Sequence, residues 1–542
     1  MKFSITKPFP ICLLLCLPLI TNAHTDISDE RELGTVNFPV SCNEKAQKLA
    51  VRGLALMHHM TYEDARSSFI QASDADQSCA MAYWGAAMTY IHPLWSDPPN
   101  ADEYTTAQSM LAKAKKHGQK TNWEHDYINA LDTYLSEPWS KNEKPRLERF
   151  AKAWEETYQR YPNDTEAAAF YALFFLSTAD PADKTYSKQL KSGELADIVL
   201  TKLKNHPGAH HYLIHSYDYP ELSGRAIEIA NNYSKIAPEI PHALHMPTHI
   251  FTREGMWQES IEGNTRSAEE ALKISVNDVV SLHYLHAIDC LAYAYLQTGQ
   301  DKKVRELLTT IQAIDGPIQS HIASAYTLAA VPARIAMERQ QWTDAAALVA
   351  RSPAHYDWDN VPAMEAIAYF ARALGAAHSG DINQANADIK MLEMLKNKLP
   401  ESAQYWATQI EIQRLSAIAW LQYQTDSELG LQTMEKAANI EASTEKHPVT
   451  PGEVIPAHEL LADMLLDLEQ YENALAKYQA TLKRNPNRLN SLFGAGIASE
   501  KIGDTEQAKV YYQQLLTLTH KADSSLARVA HAKEYLSSLS TL

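Results

Sequence analysis

Small apolar residues, aromatics and prolines recur along this chain at a fixed spacing, and the spacing predicts paired helices. From Ile455 to Arg488, Ala462, Ala474, Tyr478 and Pro486 stand at positions 8, 20, 24 and 32 of a 34-residue unit. From Leu489 the same ruler meets Gly496, Gly503, Ala508 and Tyr512. Small residues at positions 8 and 20 let two helices approach closely, and the aromatic at 24 packs across the pair. The proline at 32 follows the second helix, which it cannot continue.

The same spacing recurs near the start. Gly53, Ala65, Phe69 and Ala72 match positions 8, 20, 24 and 27, and a following unit begins at Ala80 with Tyr83, Ala87 and Tyr90. Pro207 and Pro238 mark boundaries in the middle, and Gly255, Gly299, Gly380 and Gly503 mark turns inside pairs. Pro93-Leu94-Trp95 and Pro98-Pro99 interrupt helix, so Pro93–Asn122 reads as an insertion. These residues resemble the tetratricopeptide repeat. The resemblance implies an all-α, TPR-like α-solenoid, a superhelix of stacked helical hairpins. The alternative is a generic helical bundle, since amphipathic patterns are common.

Export features precede the repeats. Lys2 and Lys7 begin a basic segment, an apolar run extends from Phe9 to Ile20, and Thr21-Asn22-Ala23 offers compact residues for cleavage after Ala23. The run is too short for a comfortable bilayer span. Cys16 is preceded by Leu15 where lipid attachment wants a small residue. The expected organisation is a signal peptide at 1–23, an extended segment at 24–41, N-terminal repeats with a His-rich groove at 42–290, and C-terminal repeats at 291–542. A periplasmic or secreted protein with no transmembrane segment in the mature chain follows. Export also bears on the cysteines: Cys42 precedes the first helix of a hairpin and Cys79 follows the second, so a disulfide between them is expected, with two buried thiols as the alternative. Cys290 reads as a buried small apolar residue.

Composition narrows the partners. Apolar residues at 45% and charged residues at 21% are ordinary for a folded soluble protein. The net charge of -17 and the lack of a Lys/Arg cluster argue against nucleic acid.

The histidines carry the candidate chemistry. Of 22, nine lie between His206 and His286, in HPGAHHYLIHSYD, PHALHMPTHIF and HYLHAID. Counted from Pro207, His211, His215 and Asp218 fall at positions 5, 9 and 12. Counted from Pro241, His242, His245 and His249 fall at 2, 5 and 9; counted from Leu285, His286 and Asp289 fall at 2 and 5. In solenoids of this type these positions face the concave groove. His211 and His215 share one helical face, as do His245 and His249. The pairs can supply four nitrogens to one ion or two to each of two, with Asp218 and Asp289 as further ligands or as acceptors that orient an imidazole. Such donors suit a divalent transition metal, copper or zinc in an exported protein, rather than calcium or magnesium. Two readings without metal stand beside this one: a groove that binds a peptide, protein or polar small molecule, and histidines that serve packing alone.

Other positions say less. His58 and His59 with Met60 either extend the site or serve as helix-end partners, Met57 and Met60 suggest copper(I) chemistry or act as core filler, and His355 and His458 read as local hydrogen-bonding residues. His92 and Trp95 either cover the groove mouth or join the core. No HExxH, G-x-S-x-G, P-loop, dinucleotide fingerprint or CxxCH is present. In CAMAYWGAAMTYIHPLW, HPGAHHYLIHSYD and HALHMPTHIF the chain is similar to bacterial exported tetratricopeptide-repeat proteins of unassigned activity, most clearly over about 50–290. That resemblance implies the fold and groups the His segments; it supplies no substrate. The expected function is a metal- or ligand-binding repeat protein, with a metal-dependent oxidase or hydrolase and a metal-free interaction scaffold as alternatives.

Overall fold

A computed structural model describes residues 31–95, 97–117, 121–274 and 279–539. The expected signal peptide and its cleavage point lie outside them. The described part from Glu32 onward is one compact unit. It is all-helical: no β-strand occurs among the described residues, and a single isolated bridge joins Val280 to Ile318. No helix among them is long and apolar enough to cross a membrane.

Consecutive helices pack as neighbours, and the spacing residues explain why. The ring of Phe69, on helix Tyr62–Ala75, lies against Gly53 of the preceding helix Glu44–His58 and Gly85 of the following helix Ala80–Met88. A Cβ at Gly85 would stand 2.2 Å from that ring, so only glycine admits the aromatic there. The C-terminal pairs repeat the device: a Cβ at Gly494 would meet the Tyr478 ring at 2.2 Å, and one at Gly496 the Tyr512 ring at 2.5 Å. Gly380 and Gly503 end their helices with φ of 79° and 87°, the left-handed cap that frees the chain to turn back.

The stretch read as an insertion contains helix Ala101–Lys116, which packs on Ala80–Met88. Asn100 and Glu103 form a capping box at its start, and this local signal outweighs the preceding prolines. Cys42 and Cys79 are disulfide-bonded, and Cys290 is a buried free thiol.

The C-terminal helices return to the middle of the chain. Helix Leu489–Ile502 touches helix Leu282–Gln297. Trp257 Nε1 donates to Asn487 O at 2.8 Å, and Leu489 N donates to Gln297 Oε1 at 3.0 Å. The fully buried Arg488 bridges Glu338 and Glu459, each at 2.7 Å. Removing one partner of such a buried pair leaves a charge uncompensated, at a cost of about 3–5 kcal/mol. This closure places the 440–456 segment beside the histidine-bearing helices.

Candidate metal centre

Three neighbouring stretches carry the histidines. Helix Pro207–Tyr217 bears His211 and His215. Helices Pro241–His245 and Pro247–Arg253 follow one another, with Met246 between them still helical in φ and ψ, and bear His242, His245 and His249. Proline begins the first two, where its missing N–H costs nothing, and Pro247 divides the continuing helical stretch where it cannot donate to the preceding turn. Helix Leu282–Gln297 bears His286 and Asp289. The six imidazoles are buried, none more than 8% exposed, so they line no open surface.

They sort into two triads. His211, His215 and His242 bring ligand atoms within 4.8 Å of one another, and so do His245, His249 and His286. Each triad thus joins an i, i+4 pair to a histidine from elsewhere in the group. Ring centroids of His242 and His245 lie 6.0 Å apart, as do those of His215 and His249, so the triads adjoin.

Hydrogen bonds fix the second triad's tautomers. Asp218 Oδ2 lies 2.9 Å from His249 Nδ1. Arg253 and Lys446 also hold this carboxylate, and their charges keep it ionised, well below the usual range despite its burial. It can only accept, so His249 Nδ1 carries the proton and Nε2 a lone pair. Asn264 Nδ2 donates to Ser260 O at 2.9 Å, which turns its Oδ1 toward His245 Nδ1 at 2.8 Å. His245 Nε2 therefore also carries a lone pair. These two lone-pair nitrogens face each other across 2.9 Å. Burial lowers the pKa of both rings, against the opposing pull of Asn264 on His245 and of Asp218 on His249, which favours the neutral imidazole at both positions. Nitrogens that share one ion at about 2.0–2.1 Å stand roughly 3 Å apart. The pair is spaced as two ligands of one cation.

The first triad is similar. His211 Nδ1 donates to His58 O at 2.7 Å, which leaves its Nε2 a lone pair. That atom, His215 Nε2 and both ring nitrogens of His242 are buried with no hydrogen-bond partner among the described residues. Burial pushes His211 down to about 3, with the His249 and His58 rings adding to it. Burial and adjacent imidazoles put His215 and His242 well below the ordinary value as well. Orphaned buried polar atoms are costly, and this set is rich in them.

The two carboxylates named from sequence act differently. Asp218 orients His249. Asp289 is ion-paired through Oδ1 with the buried Arg334. Its other oxygen lacks a partner, and burial raises its pKa against the pull of Arg334.

A third buried group, His58, Glu166 and His206, also brings ligand atoms within 4.8 Å. Its needs are met internally. His58 bonds Tyr212 Oη at 2.7 Å and Glu166 at 2.9 Å; His206 accepts from Ala209 N at 3.0 Å and reaches Glu166 at 3.2 Å. Asn37 N supplies Glu166 with another donor at 2.8 Å. His59 is likewise engaged, by Tyr233 Oη and Leu33 O, and His355 by Gly316 O.

Several neighbours were not evident from spacing. Trp95 lies over the triads, with its ring 5.1 Å from His242 and 6.2 Å from His286. His283 sits 5.5 Å from His242, and His321 5.1 Å from Trp95. His283 stands in HYLHAID but precedes Leu285, from which that unit is counted. Asn264, Lys446 and Arg253 carry no local signal at all. No protein-family model matches this sequence, and no curated protein matches it.

Proposed function

We propose that this chain is an exported, TPR-like α-solenoid protein that binds transition-metal ions, copper or zinc, through His211, His215, His242, His245, His249 and His286. The observation that carries this reading is the pair of facing lone-pair nitrogens on His245 and His249. Two acceptors at that distance repel unless a cation lies between or beside them, and their tautomers are fixed from outside by Asn264 and Asp218. Orientation of ligating imidazoles by such acceptors is the usual support of a metal site. The unpartnered nitrogens of the first triad favour the same use. Burial of the rings favours an ion or small molecule over an extended peptide. The helix pairs with glycine set against aromatic rings support the repeat reading, and the Cys42–Cys79 bond supports an oxidising compartment.

Elemental analysis of the full chain, isolated without a metal-binding tag, tests the proposal. Tightly held metal is expected, with loss of that metal and unchanged helicity in the double variant His211→Ala, His245→Ala. A metal-free protein that takes up neither copper nor zinc, or a variant that retains its metal, would overturn it.

A further inference from the structure

We infer that the two triads form a coupled two-copper centre that binds dioxygen between its ions. The inference rests on the metal-binding reading and specifies the metal, the number of ions and the ligand.

Three features point there. The donor sets match: each is three imidazoles, with no carboxylate among the ligands. They also adjoin along one stretch of helix. His242 belongs to one triad and His245 to the other, three residues apart, with the second close approach at His215 and His249. Rings of the two triads approach to 6.0 Å between centroids at both places, which would bring two bound ions within reach of one bridging ligand.

Charge is the third feature. Burying an ion requires compensation. Asp218 is already neutralised by Arg253 and Lys446, and Asp289 by Arg334. Asp218 and Asp289 therefore have no free negative charge for two buried dications. Monocations cost less to bury than dications, copper(I) is a monocation, and imidazole nitrogens suit copper. The anionic charge required by copper(II) then arrives with the ligand. Each copper(I) gives one electron to dioxygen and becomes copper(II). Dioxygen takes both electrons and becomes a bridging peroxide dianion; no proton moves and no protein bond forms or breaks. Reversal returns dioxygen. The triads are buried, and Trp95 lies against a histidine of each, so the ligand must be small.

The test loads the metal-stripped full chain anaerobically with copper(I), removes excess copper, and admits air. Two coppers per chain are expected, with an intense near-ultraviolet charge-transfer band on oxygenation and no electron paramagnetic resonance signal from the oxidised pair. His215→Ala and His286→Ala each interrupt one triad. Each variant is expected to hold one copper, lose the band and show a copper(II) signal on oxidation, with circular dichroism confirming the fold. Should one ligand variant misfold, the wild-type stoichiometry, band and silent spectrum still decide. Two oxidised coppers with full signal intensity would overturn the coupled centre while leaving metal binding intact. So would retention of two zinc ions with no stable copper loading. A chain that holds no metal would remove both readings.

Discussion

Lys446 Nζ lies 2.6 Å from Asp218 Oδ2, a buried contact between residues 228 positions apart. It ties the C-terminal segment to the carboxylate that orients His249. Asp218→Asn removes the anion shared by Lys446, Arg253 and His249. The expected result is a 10–100-fold loss of metal affinity at the His245, His249 and His286 triad, with a fall in stability of about 3–5 kcal/mol. Competition titration against a chelator and urea unfolding measure the two effects. Unchanged affinity would mean that Asp218 serves packing alone.

Lys446→Met makes the opposite prediction for affinity. It withdraws a buried cation from the neighbourhood of the site while Arg253 continues to hold Asp218. Metal affinity should rise several-fold, since a like charge no longer opposes the ion. The same chelator titration reads it, and a decrease would show that the lysine positions Asp218 more than it opposes the metal.

The third histidine group supplies a contrast. Glu166→Gln breaks the interactions that hold His58, His206 and Asn37 together. Stability should fall by about 3 kcal/mol, because buried donors lose a charged acceptor. Metal stoichiometry should not change. Loss of an ion in this variant would promote the group from packing to ligation.

These contrasts mark what the sequence made legible. Repeat spacing found the residues that force helices together, since Gly53 against Phe69 and Gly494 against Tyr478 are local steric requirements. Helical spacing also placed His211 with His215 and His245 with His249, because i, i+4 geometry is independent of the rest of the fold. It assigned Asp289 to the same surface but could not foresee Arg334, which neutralises it from 45 residues away. Nor could spacing reveal that the chain returns to bury the histidines. Lys446 and Asn264 reach the site through tertiary packing, and no periodic pattern records that, whereas Trp95 was named from the sequence as a residue that either covers the histidines or joins the core. His58 and His206 form a separate buried group with Glu166, and their completed hydrogen bonds set it apart from the triads.

The Cys42–Cys79 disulfide closes a loop with a sequence separation of 37. Asn43 already ties the same ends together through Ala75 O and Asp76. Cys42→Ser with Cys79→Ser should therefore keep the hairpin but lower stability by about 3–4 kcal/mol, chiefly by freeing the unfolded chain. Urea unfolding of wild type with and without reductant, beside the double variant, measures it. Reduced wild type and the variant should coincide, and a variant as stable as the oxidised wild type would contradict the assignment.

Asp463 predicts a pH dependence remote from the histidines. Burial pushes its carboxyl up to about 7, with the neighbouring Glu459 adding to the effect against the hydrogen bond from Tyr478. The folded state therefore keeps a proton that the unfolded chain releases near pH 4. That contribution is fully present below about pH 4 and is lost as pH rises through 7. Asp463→Asn cannot ionise, so its stability relative to wild type should increase between pH 4 and 8, by on the order of 2 kcal/mol once solvent screening of this partly exposed group is allowed for. Other titrating groups are shared by both proteins and cancel in the difference. Urea unfolding across that range gives the curve directly. A difference independent of pH would mean that Asp463 is ionised in the fold, with Tyr478 and the nearby arginines outweighing its burial.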